Sequence, residues 1–360
     1  MAAQIGILAA NEGPFPGDLI NKINEMNIDG IEAEMCQVPE TGTEYHIPYK
    51  VIIDRISHAI PYYLHYCKQA MLGGTYVINN PFRFYSDKFF GYSVAQKLGI
   101  PVPKTIALPS KAYRKGIEAD DLTNLIFPLK WDRIIEHIGF PAVLKPADGY
   151  GWRDVSVVNN FDELMEAYNK SGELVMTLQE FINFDQYVRA FCLGKKYVMP
   201  IRYEPHQPHH LRYVVDHQHL TPELGKMVED YSIKLSSVLD YDMNACEFAI
   251  KDGVPYAIDF INLVPDSHPD SIRHHYYNWV VEHMAKVAIE YVQNPTQMQS
   301  WPTIQDLFCF PGQNPAGTII SAEKEKKKAP ARTAKKTTAK KAPATAKKTT
   351  TRKKSQEAKV

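Results

Sequence analysis

Pro141-Ala142-Val143-Leu144-Lys145-Pro146-Ala147-Asp148-Gly149-Tyr150-Gly151-Trp152 is an apolar run that ends on a cation and breaks into a glycine-bearing loop. The run predicts a buried strand over Ala142–Lys145. A lysine that closes a buried strand is badly placed for mere solubility and well placed to reach a polyphosphate. Glycines in the loop let backbone N–H groups approach phosphate oxygens closely. The loop matches neither G-x-x-x-x-G-K-[ST] nor G-x-G-x-x-G, so the two commonest nucleotide fingerprints are excluded. Taken alone, Gly-Tyr-Gly also suits a plain turn.

Three other groups flank this stretch. Downstream, Leu178-Gln179-Glu180-Phe181-Ile182 reads as a strand running into a loop. Its backbone could hydrogen-bond an adenine edge while Phe181 and Ile182 supply apolar contact, and an edge strand with no ligand reads equally well. Farther on, Tyr187–Leu193 and Tyr197–Tyr203 form a hairpin around Gly194-Lys195, carrying Arg189 and Arg202 on adjacent strands. Glu247 opens a strand over Cys246–Lys251, and Asp259 with Asn262 belong to its partner. Carboxylates inside Ala-Cys-Glu-Phe-Ala-Ile and Tyr-Ala-Ile-Asp-Phe-Ile would be costly without compensation. Two carboxylates and an amide make the all-oxygen set that Mg²⁺ prefers. Upstream, Lys88 sits in a helical pattern over Tyr85–Leu98, where a solvated lysine is the ordinary reading.

Patterning around these groups predicts an α/β chain of several units. Residues 1–80 read as an open α/β domain, with an apolar run at Gln4–Ala10, a helix at Asp18–Met26, strands at Val51–Asp54 and Thr75–Ile78, and the helix Ile60–Met71 between them. Residues 81–182 form a second unit. Residues 183–295 form a third, with a helix Pro222–Leu239 capped by Thr221 and a last helix 275–292 packing on the outside. A linker follows at 296–320. Residues 321–360 are Lys/Ala/Thr/Pro with the near-repeat AKKTT / AKKAPA / AKKTTT, too poor in apolar area to fold, and are expected to be disordered.

The formal net charge of zero conceals an asymmetry. Of 41 basic and 41 acidic residues, the tail holds 15 and 3, leaving 26 and 38 in the body, so a −12 body carries a +12 appendage. Such a tail resembles those of linker-histone-like proteins. It would bind nucleic acid or another polyanion non-specifically by counterion release, or equally serve solubility or dock on the acidic body. It has no aromatics for base stacking. Five scattered cysteines without a C-x-x-C indicate reduced thiols and a cytoplasmic protein. The N-terminus has no basic n-region, and no stretch approaches a membrane span. His206, His209, His210, His217 and His219 lack the spacing of a zinc site and favour a polar loop near a substrate over a zinc reading; Arg212 there could meet an anion or simply be solvated.

The order Lys88, Lys145-Pro with its glycine loop, Gln-Glu-Phe-Ile, Arg189…Arg202 and Glu247…Asp259…Asn262 resembles the ATP-grasp superfamily, in particular the glutathione synthetase and ribosomal-protein glutamate ligase branch. The resemblance covers about residues 1–295. It implies an N-terminal pre-ATP-grasp domain followed by two α+β subdomains clasping ATP. Lys88, Lys145, Gly149 and Gly151 would hold the phosphates, and Gln179, Glu180, Phe181 and Ile182 would form the adenine hinge. Arg189 and Arg202 would face the γ-phosphate or an acyl-phosphate. Glu247, Asp259 and Asn262 would bind Mg²⁺, or Mn²⁺ in its place. The implied activity is ATP-dependent joining of a carboxylate to an amine or thiol, on small-molecule or peptide substrates; the oligomeric state stays open, a homodimer included.

Two features depart from the family pattern. Asp259-Phe260-Ile261-Asn262 stands where Glu-x-Asn is common, and Tyr150 and Trp152 occupy a loop usually built of small residues. The competing readings are a phosphotransferase on the same scaffold and a nucleic-acid or partner-binding protein with a vestigial site.

Overall fold

The first sheet is parallel, and its sequence explains why. β1 (Ile5–Leu8) and β3 (Val51–Asp54) are buried at every residue, the signature of strands covered on both faces. With α1 (Phe15–Glu25), β2 (Ala33–Met35), α2 (Pro61–Leu72) and β4 (Tyr76–Ile78) they form a four-stranded sheet in the order β2-β1-β3-β4. Helix α1 begins three residues before the expected Asp18, because Pro16 occupies its first turn, where a missing N–H costs nothing. The edge strand β2 is only three residues long, two of them exposed, and has no readable period.

The computed structural model describes residues 4–83, 87–149 and 153–295. The expected linker and tail, Tyr85, Cys309 and the loop residues Tyr150, Gly151 and Trp152 lie outside the described residues. All the described residues fall in one compact unit.

The second sheet is antiparallel. It contains β5 (Thr105–Leu108), β6 (Ala142–Pro146), β7 (Ser156–Val158) and β8 (Met176–Glu180) in the order β5-β8-β6-β7, preceded by α3 (Lys88–Lys97) and accompanied by α4 (Trp131–Ile138) and α5 (Phe161–Asn169). Helix α3 starts at Lys88 because the Asp87 carboxylate caps it, accepting from Phe90 N at 2.9 Å. A core of Leu108, Ala142, Leu144, Leu164, Met176 and Leu178 closes this layer.

The third sheet runs β11-β10-β9-β12-β13, all antiparallel, from β9 (Gln186–Leu193), β10 (Tyr197–Tyr203), β11 (Tyr213–Val214), β12 (Met243–Lys251) and β13 (Val254–Asp259). Helix α6 (Pro222–Leu239) has the expected bounds and the Thr221 cap. The other helices are the short α7 (Pro269–Ile272) and α8 (His274–Gln293). Three expectations need correction here. Glu247 lies in the middle of β12, which begins at Met243. Asn262 lies beyond β13, which ends at Asp259. Helix α8 does not pack on the outside: Tyr276, Val280, Met284 and Ala288 are buried in one core with Ile5 and Val51 of the first sheet and Phe191 and Leu193 of the third. A helix gripped between two sheets is apolar over more than one face, which a single-stripe reading misses.

Polar clamps fix the first sheet to the third. Asn79 Nδ2 donates to Met243 O (2.8 Å) and Leu263 O (3.0 Å), while its Oδ1 accepts from Met243 N (2.8 Å). Buried Arg55 pairs with Glu12 and donates to Pro265 O at 3.2 Å. Asp242, fully buried, accepts from Tyr76 (2.8 Å) and Tyr291 (2.7 Å) and faces Lys195. These bonds set the start of β12, and with it the position of Glu247. Among the described residues no helix is long and apolar enough to cross a membrane.

Candidate active site

A row of charge crosses the third sheet. Arg189 on β9 lies directly opposite Glu247 on β12, which lies opposite Asp259 on β13. Directly paired residues share a face, so the three side chains emerge together. Arg189 Nη1 donates to Glu247 Oε1, and Tyr187 Oη donates to Glu247 Oε2 at 2.8 Å. The guanidinium lies 5.7 and 5.9 Å from the ring centroids of Tyr203 and Tyr213. Its Nε is buried and has no hydrogen-bond partner among the described residues. A buried donor without an acceptor costs free energy, which an anionic ligand would recover.

Two lysines come to this row from the second unit. Lys88 Nζ, in the first turn of α3, donates to Asp259 Oδ2 at 2.6 Å. Burial favours the neutral amine, but the charge and hydrogen bond of Asp259, with Tyr92 and Glu247, together outweigh it and hold the ammonium above its usual range. Burial likewise disfavours ionised Asp259, and Lys88 reverses that, keeping the carboxyl below the usual range. Lys145, closing β6, is 8% exposed. Burial first, then the Lys88 charge, bring its ammonium down to about 8.

Glycine makes the approach of α3 possible. A Cβ on Gly91 would stand 2.7 Å from Ile261 Cδ1 and 3.3 Å from Phe260 Cε2, in the segment that joins Asp259 to Asn262. Gly91→Val should therefore push α3 off this segment, stretch the Lys88–Asp259 pair and lower stability by about 1–3 kcal/mol. Thermal unfolding measures this; an unchanged Tm would show that the packing is not close enough to matter.

The lysines, Arg189 and the carboxylates line one cleft of about 750 Å³, ample for a nucleotide with a second substrate. Gly149, Glu180, Phe181, Ile182 and Asn262 are on its wall too. Gln179 is there but faces inward: Oε1 accepts from Lys145 Nζ (2.8 Å) and Nε2 donates to Thr105 Oγ1 (2.9 Å). Its side chain therefore serves Lys145. Glu180 Oε2 accepts from Lys104 N at 3.2 Å, and the strand ladder ends there, so residues 181–182 leave the sheet along the cleft.

Arg202 is not in the cleft. Ile201 is the residue opposite Arg189, so Arg202 projects from the other face of the hairpin, where it pairs with Glu204 (2.9 Å) and Asp216 (3.4 Å) in solvent. Arg202→Ala should leave ATP-dependent turnover within about threefold of the parent, since exposed pairs contribute little; a hundredfold loss would return Arg202 to the site. Groups that the sequence reading passed over line the cleft instead: Tyr187, Arg153 and Asp266. Arg212, anchored by its Nε on Gln207 O (2.9 Å), also faces it. His206 stacks on Phe184, and His209 Nε2 lies 3.5 Å from Asp266. Among the described residues, no three His, Cys, Asp or Glu side chains group as a metal site.

Glu247, Asp259 and Asn262 fit a magnesium ion by donor chemistry: hard oxygens, two of them anionic, on one wall. Arg189 and Lys88 pair with these two carboxylates.

No protein-family model matches the chain. Mitochondrial pyruvate carboxylases of Mus musculus and Rattus norvegicus are 26% identical over 189 residues, 48% of this chain and 15% of theirs, so the match spans only a small part of those relatives. Solved structures match far more of the molecule. D-alanine–D-alanine ligase from Bacillus anthracis complexed with ATP superposes with a TM-score of 0.55 at 17% identity, over 80% of this chain and 96% of that one. The RimK domain ATP-grasp protein from Sphaerobacter thermophilus gives 0.58 at 19%, over 80% and 100%. The ATP-grasp ligase PsnB complexed with a minimal precursor gives 0.56 at 11%, over 80% and 99%. At these identities the likeness shows the fold: the chain has the ATP-grasp fold.

Proposed function

We propose that this ATP-grasp chain is an ATP-dependent ligase that joins a carboxylate to an amine through an acyl-phosphate, releasing ADP and phosphate. The observation that carries the reading is the convergence of Lys88, Lys145, Arg189, Glu247, Asp259 and Asn262 on one cleft. The reaction balances without an enzyme nucleophile. A substrate carboxylate oxygen attacks the γ-phosphorus and ADP leaves; an amine then attacks the acyl carbon, phosphate leaves and the amine loses a proton. Lys145 and Lys88 supply positive charge beside the phosphates, and Arg189 meets the charge that develops on the transferring group. Glu247, Asp259 and Asn262 would hold Mg²⁺, or Mn²⁺, whose contribution is to neutralise phosphate charge and orient it for in-line displacement. Val143, Phe181 and Ile182 offer the apolar walls that an adenine ring requires.

The neighbours support peptide as well as small-molecule substrates, since PsnB was solved with a precursor peptide. The four cysteines among the described residues are free, which suits a reducing cytoplasm. The test is ATP-dependent phosphate release against panels of amino acids, peptides and polyamines, with the product identified by mass. ADP, free phosphate and an amide are expected. ADP with a phosphoester would make the protein a phosphotransferase.

A further inference from the structure

Lys145 is held by two residues that come from different layers. Tyr92, on α3 one turn after Lys88, receives the ammonium at 2.7 Å on its phenolic oxygen. The same Oη donates to Ile258 O at 2.6 Å. That carbonyl sits at the irregularity in β13, where the register with β12 shifts between Glu247 and Phe248. A residue at such a bulge drops out of the ladder, and its carbonyl becomes available to a side chain. Gln179 Oε1 takes a second ammonium hydrogen, and Thr105 fixes the amide by accepting from Nε2. An ammonium has three N–H groups, so one is left for a ligand in the cleft that Lys145 lines. The groups that face it are Lys88 and Tyr92 on α3, Gln179 on β8, Glu247 on β12 and Asp259 on β13.

We infer that Tyr92 and Gln179 are positioning residues for nucleotide binding: they hold Lys145 with one N–H aimed at a phosphate, and Tyr92 ties that lysine to the strand bearing Asp259. This rests on the ATP-site reading above. Both contacts place an oxygen against the ammonium and so favour its charged form. Lys145 is brought to about 8 by burial and Lys88, so ATP affinity should fall as pH rises through that value. Removing either oxygen makes the charged form harder to keep, so the fall should move to lower pH. A carboxylate in place of the amide should move it to higher pH.

The experiment measures equilibrium binding of ATP with Mg²⁺ to the full chain by calorimetry between about pH 6 and pH 10. Tyr92→Phe keeps the ring against Phe260 and should weaken ATP about tenfold or more near neutral pH, as expected for hydrogen bonds to a charged group. Its alkaline fall should begin at lower pH than in the parent. Gln179→Met should act in the same direction and Gln179→Glu in the opposite one, which gives the test if Tyr92→Phe folds poorly. Uniformly weaker binding with an unmoved pH profile in all three variants would reduce Tyr92 and Gln179 to packing residues and overturn the inference. A parent chain that does not bind ATP with Mg²⁺ would instead overturn the ATP-site reading itself.

Discussion

Lys145→Met is expected to lower ATP-dependent turnover by about 10²–10³-fold while leaving the fold as stable as the parent or more so. The activity loss follows from removing a pre-aimed cation from a site sheltered from water, where one such donor contributes that much. The stability result follows from burial. Lys145 is 8% exposed, and among the described residues its ammonium donates to Tyr92 and Gln179. A flexible apolar side chain of similar length fills the same space without that desolvation cost. Turnover and thermal unfolding on the same preparation check both halves. Normal turnover would remove Lys145 from the phosphate site, and a large fall in Tm would make it a structural residue.

Glu247→Ala should abolish turnover and, unlike Lys145→Met, lower stability as well. Glu247 neutralises Arg189 and accepts from Tyr187, with side-chain exposures of 15% and 11% for the ion pair. Deleting the carboxylate leaves a buried guanidinium uncompensated, which costs about 3–5 kcal/mol. Turnover should become undetectable, because the same carboxylate belongs to the proposed magnesium set. The double variant Glu247→Ala with Arg189→Met separates the two effects: it should recover most of the stability and none of the activity. Chemical denaturation with a two-state fit reads the first. A single Glu247→Ala variant as stable as the parent would mean that solvent reaches the pair and that the row of charge is superficial.

The chemistry was more legible in the sequence than its geometry. Lys145, Glu247 and Asp259 stand inside apolar runs, where a charge is expensive unless something uses it, and that contrast survives without coordinates. Arg189 and Arg202 looked equivalent because both lie on one hairpin. Their difference is nevertheless readable: pairing Leu193 with Tyr197 across the turn puts Ile201 opposite Arg189 and sends Arg202 to the other face. A one-residue offset decides the side of a sheet. Gln179 was assigned to the nucleotide on its motif, yet its amide is committed to Lys145 and Thr105, partners 34 and 74 positions away. No local pattern contains such a pairing. Tyr92 and Tyr187 were passed over for the same reason: a tyrosine in an apolar pattern reads as core, and only the fold shows what its hydroxyl meets. Helix α8 was misplaced because periodicity reports one apolar face, whereas two sheets compete for this helix.

The central claim is that a nucleotide triphosphate and its metal occupy the cleft between the lysines and the carboxylate row. A crystal structure of the full chain with Mg²⁺ and a non-hydrolysable ATP analogue tests it most directly. The expected result has phosphate oxygens within hydrogen-bond distance of Lys88 and Lys145 Nζ, the metal on Glu247, Asp259 and Asn262, and Arg189 turned towards the γ-phosphate. A nucleotide bound elsewhere, or the Lys88–Asp259 and Arg189–Glu247 pairs intact at saturating analogue with the cleft empty, would contradict it.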